Sequence, residues 1–286
     1  MASKIALRTT LAALRALSYV APGRVGKFYA RKFCTPARKR PAAWEAEVLA
    51  RARVRGHFDG CAYAEWGEGP LIVLLHGWEG RSSQLARFVE PLTRAGYRVL
   101  AWDAPAHGGS DGEMTNLAQS TAAFIAFASA HGPIHGIVAH SFGGMIARLA
   151  VALGLEVGRL VQIASPARMQ TIFDEFVGYV GLSRRAARAF QNAIEQEAGI
   201  RSDEIDRLLA RPQPKLARAL AIHCRDDLKV SIREAEELVA TRPGYRLREV
   251  RGHGHSRILV AAEVIDTVRD FMGPVRDKRA EPGPLR

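Results

Sequence analysis

From residue 57 onward the chain alternates short apolar runs with segments of helical periodicity, and this alternation constrains the fold more than any other feature. The runs at 71–75, 97–102, 134–139, 159–164, 217–222 and 245–250 read as strands. Helical patterns near 83–95, 116–131, 144–153, 232–241 and 257–272 lie between them. Strands that alternate with helices need crossover connections, so most of the sheet should be parallel and covered by helices on both faces. The class is therefore α/β. The alternation fails between Pro166 and Lys215, where three helical segments occur without a strand. That stretch reads as an all-helical lid over the carboxyl edge of the sheet.

Charge divides the chain a second time. The 286 residues carry a formal +12, a balance that fits a polyanionic partner if the charge is spread over the fold. It is not spread. Residues 1–56 hold 13 Lys and Arg against only Glu45 and Glu47, which leaves the remainder close to neutral. The expected organisation is a basic helical N-terminal extension (1–56), a core (57–165 and 216–272), a helical lid (166–215) and a flexible tail (273–286). Within the extension, leucines at 7, 11, 14 and 17 predict a helix over 4–20 that ends at Pro22 and Gly23, and a second helix runs from Ala42 to about Arg53. Two roles compete for this arm. It packs on the body with a solvated basic face, or residues 1–40 lie on an anionic membrane surface. No nucleic-acid partner is expected, because no binding motif accompanies the charge.

Arg8 and Arg15 interrupt the apolar run, so neither a membrane-spanning helix nor a secretory signal is expected. Cys34, Cys61 and Cys224 are too few and too widely spaced for a disulfide framework or a zinc site. Their usage fits the cytoplasm, with peripheral membrane attachment as the variant. The sequence leaves the oligomeric state open.

The strongest chemical signal is AHSFGG at 139–144, with an apolar strand before it and a helical pattern after it. A serine on such a strand-to-helix turn projects from the sheet edge, and the tightness of the turn requires small residues two places before and after it. Ala139 and Gly143 meet that requirement. A serine nucleophile needs a base, and the base needs an orienting acid. Among nine histidines, those of GHGH at 252–255 directly follow the last strand. His255 leads into the last helix and is the better placed, whereas His253 reads as a solvent-facing loop residue. For the acid, the loop HCRDDLKV at 223–230 offers both Asp226 and Asp227, while IASPA at 163–167 has no carboxylate.

Four motifs stand in order: HGW at 76–78, DAPAHGGS at 103–110, HSFGG at 140–144, and DDLKV followed by GHGH. Over roughly residues 57–272 the chain resembles α/β-hydrolase-fold serine hydrolases of the ester-cleaving, lid-bearing kind. The resemblance implies Ser141 as nucleophile. It implies Asp227 as acid, through the pattern D-x-x-V at 227–230, and His255 as base, through G-x-G-H at 252–255. The backbone N–H groups of Trp78 and Phe142 would form the oxyanion hole. Two departures stand out: Ala139 and Ala106 occupy positions where the family usually has glycine. Asp103 and His107 belong to a scaffold turn, and His140 packs at the elbow.

The expected pocket includes Trp78, Glu79, Phe173 and Phe176. Glu79 and Arg81 either meet a polar substrate or pair near the helix starting at 82–83, and the second reading is preferred. The implied activity is hydrolysis of a small-molecule carboxylic ester or thioester through an acyl-enzyme, without metal or organic cofactor. The alternatives are a carbon–carbon bond hydrolase or cofactor-free peroxidase on the same fold, and a non-catalytic binding module.

Overall fold

A computed structural model describes residues 2–213 and 216–275, with side chains from residue 11 onward. The tail expected at 273–286 therefore lies outside the described residues from 276 on. The chain opens with three helices, α1 (Ala2–Val20), α2 (Pro22–Cys34) and α3 (Ala43–Ala50). An antiparallel hairpin of β1 (Val54–Phe58) and β2 (Cys61–Trp66) follows. Then come β3 (Leu71–Leu75), a 3-10 helix at Ser82–Phe88, α4 (Val89–Arg94), β4 (Arg98–Trp102), α5 (Leu117–His131), β5 (Ile134–His140), α6 (Phe142–Ala152) and β6 (Val157–Ile163). The helices α7 (Met169–Val180), α8 (Arg184–Ala198) and α9 (Ser202–Ala210) fill the strand-free stretch. The chain closes with β7 (Leu216–Cys224), α10 (Ile232–Thr241), β8 (Tyr245–Val250), α11 (Gly254–Arg257) and α12 (Ala262–Met272).

The eight strands form one sheet in the order β1-β2-β4-β3-β5-β6-β7-β8. All pairings from β4 to β8 are parallel, and β2 joins β4 antiparallel. The strand order reverses at β3, which is flanked by β4 and β5. In open α/β sheets such a switch point opens a crevice at the carboxyl ends of the strands.

The run LIVLL explains why β3 sits at the centre. Leu71, Val73 and Leu75 enter the core on one face with Phe124 and Phe127 of α5. Ile72 and Leu74 enter the core on the other with Leu85, Phe88 and Val264. A strand buried on both faces shows no polar alternation, only an unbroken apolar run.

The structure adds two elements to the sequence reading. The β1–β2 hairpin extends the sheet at its β4 side, and α2 starts at Pro22, where the first helix was expected simply to stop. Proline suits the first helical turn, because its missing N–H is not needed there. The helix expected at 257–272 is divided into α11, a 3-10 turn at Ile258–Val260 and α12. Among the described residues no helix is long and apolar enough to cross a membrane.

The N-terminal helices pack on the body. Val25, Gly26, Tyr29 and Ala30 of α2 are buried, and Gly26 lies directly against Ala186 and Ala189 of α8. Ser18 hydrogen-bonds both the backbone N–H and the hydroxyl of Ser183, the residue that caps α8. Arg15 donates to the carbonyls of Tyr179 and Val180 at the end of α7.

Candidate active site

Ser141 lies between the last residue of β5 and the first of α6, with φ 49° and ψ −117°. A non-glycine residue held at positive φ costs on the order of 1–3 kcal/mol and persists only where its surroundings enforce it. Here the Ser141 N–H donates to the Ile163 carbonyl of the neighbouring strand at 2.9 Å, and the Ser141 carbonyl accepts from the Ser165 hydroxyl at 2.9 Å. A Cβ on Gly143 would lie 2.5 Å from the Leu75 carbonyl oxygen and 2.6 Å from that of His76, so only glycine fits. Ala139 pairs with Leu75 on one side and Gln162 on the other and is fully buried. The departure from glycine is thus accommodated at position 139. Ala106 also adopts positive φ, at 64°.

The two other loops meet at the same edge. Asp227 follows β7, and its buried carboxylate accepts from the Lys229 N–H (2.8 Å), the Val230 N–H (3.1 Å) and His255 Nδ1 (2.7 Å). Burial pushes this carboxyl up, but the His255 hydrogen bond and charge, with the two amides, outweigh it and hold the group below the usual carboxylate range. Asp226 has a different task. It accepts from the Gly252 N–H and from the Cys224 thiol, while the Cys224 sulfur takes the N–H groups of His253 and Gly254. Asp226 and Cys224 thus tie the two loops together, and Asp227 alone of the two carboxylates touches His255. His253 points away to Glu263, at 3.0 Å.

Two further histidines fix this geometry. His140 Nε2 donates to the His255 carbonyl at 2.9 Å. Burial, and then the His255 charge, push His140 down to about 3, so it is a neutral ring carrying its proton on Nε2. His76 accepts from the Ala104 N–H and donates to the Gly77 carbonyl, and its burial likewise disfavours the charged form. Asp103 accepts from the Ser82 and Gly109 N–H groups and so holds its turn together.

Among the described residues, no turn or loop hydrogen bond uses the Trp78 or Phe142 N–H group. Both residues line, with Ser141 and His255, a cavity of about 360 Å³. Its volume falls in the lower part of the range for small-molecule sites, roughly 300–1,000 Å³. Met169, Ile172 and Phe173 of α7 and Ile194 of α8 supply apolar wall.

Of the pocket residues expected from sequence, Trp78, Glu79 and Phe173 line this cavity, and Phe176 does not. Its ring instead packs on Tyr29, Phe33 and Phe190 in an aromatic layer behind the wall. Glu79 pairs with Lys39 at 3.1 Å. Arg81 forms a two-pronged ion pair with buried Glu45 of α3, which also accepts from the Ser83 hydroxyl. Glu79 and Arg81 are therefore both paired with the N-terminal segment.

Among the cavity residues that sequence reasoning missed are Phe33 and Lys39 from that segment, and Asn116 at the start of α5. The signal for Phe33 was available in the spacing of Val25, Tyr29 and Phe33, four residues apart. Asn116 is visible as a helix cap. Its Oδ1 accepts from the Gln119 N–H, which fixes the amide orientation and leaves a buried Nδ2 without a partner among the described residues.

Comparison with known proteins agrees with this architecture. The profile of the Alpha/beta hydrolase family matches residues 72–267. A pimeloyl-[acyl-carrier protein] methyl ester esterase of Xanthomonas campestris pv. campestris is 36% identical over 102 residues, 36% of this chain and 39% of that protein. A non-heme haloperoxidase of Rhodococcus erythropolis is 34% identical over 87 residues, 29% of this chain and 31% of the relative. The chain thus aligns with only about a third of the length of these curated relatives. Among solved structures, a putative lipase of Acinetobacter baumannii superposes with a TM-score of 0.60 at 18% identity, covering 82% of this chain and 97% of that one. A meta-cleavage product hydrolase of Pseudomonas fluorescens gives 0.55 at 21%, covering 74% and 93%. With a profile match over most of its length and this sheet, the chain belongs to the alpha/beta hydrolase family.

Proposed function

We propose that the protein is a serine hydrolase that cleaves carboxylic esters or thioesters through an acyl-enzyme. The observation that carries this reading is the 2.7 Å bond from His255 Nδ1 to Asp227, beside the strained Ser141 on the wall of the same cavity. In this mechanism Ser141 Oγ attacks the substrate carbonyl and His255 Nε2 takes its proton. Asp227 holds the imidazole tautomer and stabilises the imidazolium. The Trp78 and Phe142 N–H groups receive the oxyanion, a type of contact worth about 10²–10³ in rate per donor. His255 then returns the proton to the leaving group and activates the water that releases the acid.

The three helices α7–α9 act as the lid in this reading, and their apolar wall accepts the acyl part. The unpaired Asn116 Nδ2 favours substrates that carry a hydrogen-bond acceptor away from the scissile carbonyl. Similarity to a bifunctional esterase/perhydrolase of Acinetobacter calcoaceticus, 34% identical over 89 residues, supports a second reading. There, hydrogen peroxide replaces water on the acyl-enzyme, and a peracid and free Ser141 result.

The test is a panel of esters and thioesters graded by chain length, with and without a polar acceptor on the acyl chain, each run with and without peroxide. A fluorophosphonate probe should label the wild type and not Ser141→Ala. Labelling that persists in that variant removes Ser141 as nucleophile. On the same panel Asn116→Ser keeps the helix cap and should raise KM about threefold to tenfold for the acceptor-bearing esters only. An equal change on plain alkyl esters would remove the recognition role.

A further inference from the structure

The charge of the N-terminal segment is not fully explained by its packing. One face of α2 is buried on α8, and the opposite face carries Arg24, Lys27 and Arg31, all exposed. The adjoining start of α8 exposes Arg184, Arg185 and Arg188. None of these six cations forms an ion pair among the described residues. Two arginines near the cavity are by contrast held in place, Arg81 by Glu45 and Arg38 by three carbonyls of the 108–112 turn.

The same region gathers exposed apolar side chains. Of nine large hydrophobic residues exposed among the described residues, five belong here: Leu17, Tyr19 and Val20 at the end of α1, Phe28 on α2, and Tyr179 at the end of α7. Tyr19 is 74% exposed, Val20 82% and Tyr179 71%. The Arg15 bonds to the Tyr179 and Val180 carbonyls, and the Ser18–Ser183 bonds, hold the ends of α1 and α7 and the start of α8 together.

We propose that the α1–α2 corner, with the adjoining ends of α7 and α8, is a docking surface for an anionic phospholipid bilayer. Each half of the surface argues for that partner. Unpaired cations are drawn to the negative potential of a lipid surface. Aliphatic and tyrosine side chains beside them gain by entering the boundary between head groups and acyl chains, where tyrosine is enriched. A nucleic acid would neutralise the cations and leave Tyr19, Val20 and Leu17 in water. The surface belongs to the layer whose inner side, through Phe33, Met169, Ile172 and Phe173, walls the cavity. Docking would therefore bring the cavity's outer wall to the source of acyl substrates.

Deleting the arm is a poor test, because Phe33 and Lys39 would leave the cavity with it. Co-sedimentation of the full chain with vesicles of phosphatidylcholine, with and without a quarter of phosphatidylglycerol, is direct. Binding should require the anionic lipid and weaken with salt. The variant Arg24→Glu/Lys27→Glu/Arg31→Glu should lower partitioning on the order of a hundredfold or more. Tyr19→Ser/Val20→Ser should lower it several-fold without changing the salt dependence. An unchanged circular dichroism spectrum establishes that each variant is folded, and if the triple variant unfolds, the serine pair decides. Wild-type binding no stronger with the anionic lipid, full binding by the serine pair, or tighter binding to duplex DNA than to vesicles would each overturn the proposal.

Discussion

Two of the sites where a neighbouring backbone leaves no room for a methyl group lie in different parts of the molecule. One is Gly143 at the elbow, against the carbonyls of Leu75 and His76. The other is Gly26 of α2, where a Cβ would lie 2.6 Å from Ala189 Cβ and 2.7 Å from the Ala186 carbonyl oxygen of α8. The contacts are equally tight, yet they differ in how the sequence encodes them. The elbow's neighbours are the two strands that hydrogen-bond β5 and the turn that follows β3, so a short motif carries the whole constraint. The α2–α8 contact joins segments with no shared motif, one before the family-matched span and one inside it.

If the elbow sets the chemistry and the α2–α8 contact only walls the cavity, methyl groups added at the two sites should act differently. Gly143→Ala displaces the strand end that leads to Trp78 and should cut kcat on the order of 10²–10³, as loss of an oxyanion donor does. Gly26→Ala should cost about 1–3 kcal/mol of stability, the usual penalty for overpacking. It should also raise KM for long acyl esters while leaving kcat for an acetyl ester within about twofold. An equal fall in kcat for both variants would break the distinction.

Acid provides the mildest probe. The elbow region buries His107, pushed down to about 3 by burial and then by the neighbouring His76, and His140 alongside it. Neither α2 nor α8 contains a histidine. A histidine whose folded value lies below its unfolded value of about 6.5 favours folding fully above pH 6.5, and that contribution fades as pH falls toward 3. Urea midpoints should therefore drop across this window. His107→Phe should shallow the fall by up to about 1.4 kcal/mol per pH unit, the effect of one proton. An unchanged slope would mean that acid opens the molecule elsewhere.

The legibility of the molecule follows the same division. β3 coincides with the expected 71–75 because it is buried and apolar throughout, and β8 with 245–250 because it is an edge strand of partly exposed residues bounded by Gly244 and Gly252. β1 reads VRGHF and lies at the sheet edge, largely exposed, so no apolar run marked it. Helix α2 was hidden because Pro22 and Gly23 read as the end of the first helix, and because Gly23 and Gly26 weaken helix propensity, which packing on α8 overrides. Within the candidate site, Ser141, Asp227 and His255 each stand in a local motif tied to a strand end. Phe33, Lys39 and Asn116 reach the cavity only through tertiary structure, and Phe176 was misplaced because a helical face shows burial without showing what is buried against it.

The bonds between Ser18 and Ser183 span 165 residues of sequence. At a synthesis rate of about 5–20 residues per second, α1 and α2 leave the ribosome roughly ten to thirty seconds before the helix that covers them exists. For that interval the buried face of α2, with Val25 and Tyr29, lies on a short, strongly cationic helix without the α8 surface it packs against in the fold. The newborn chain is thus, for a time, a different object from the finished fold. That cationic helix is exposed before the pocket it will wall exists.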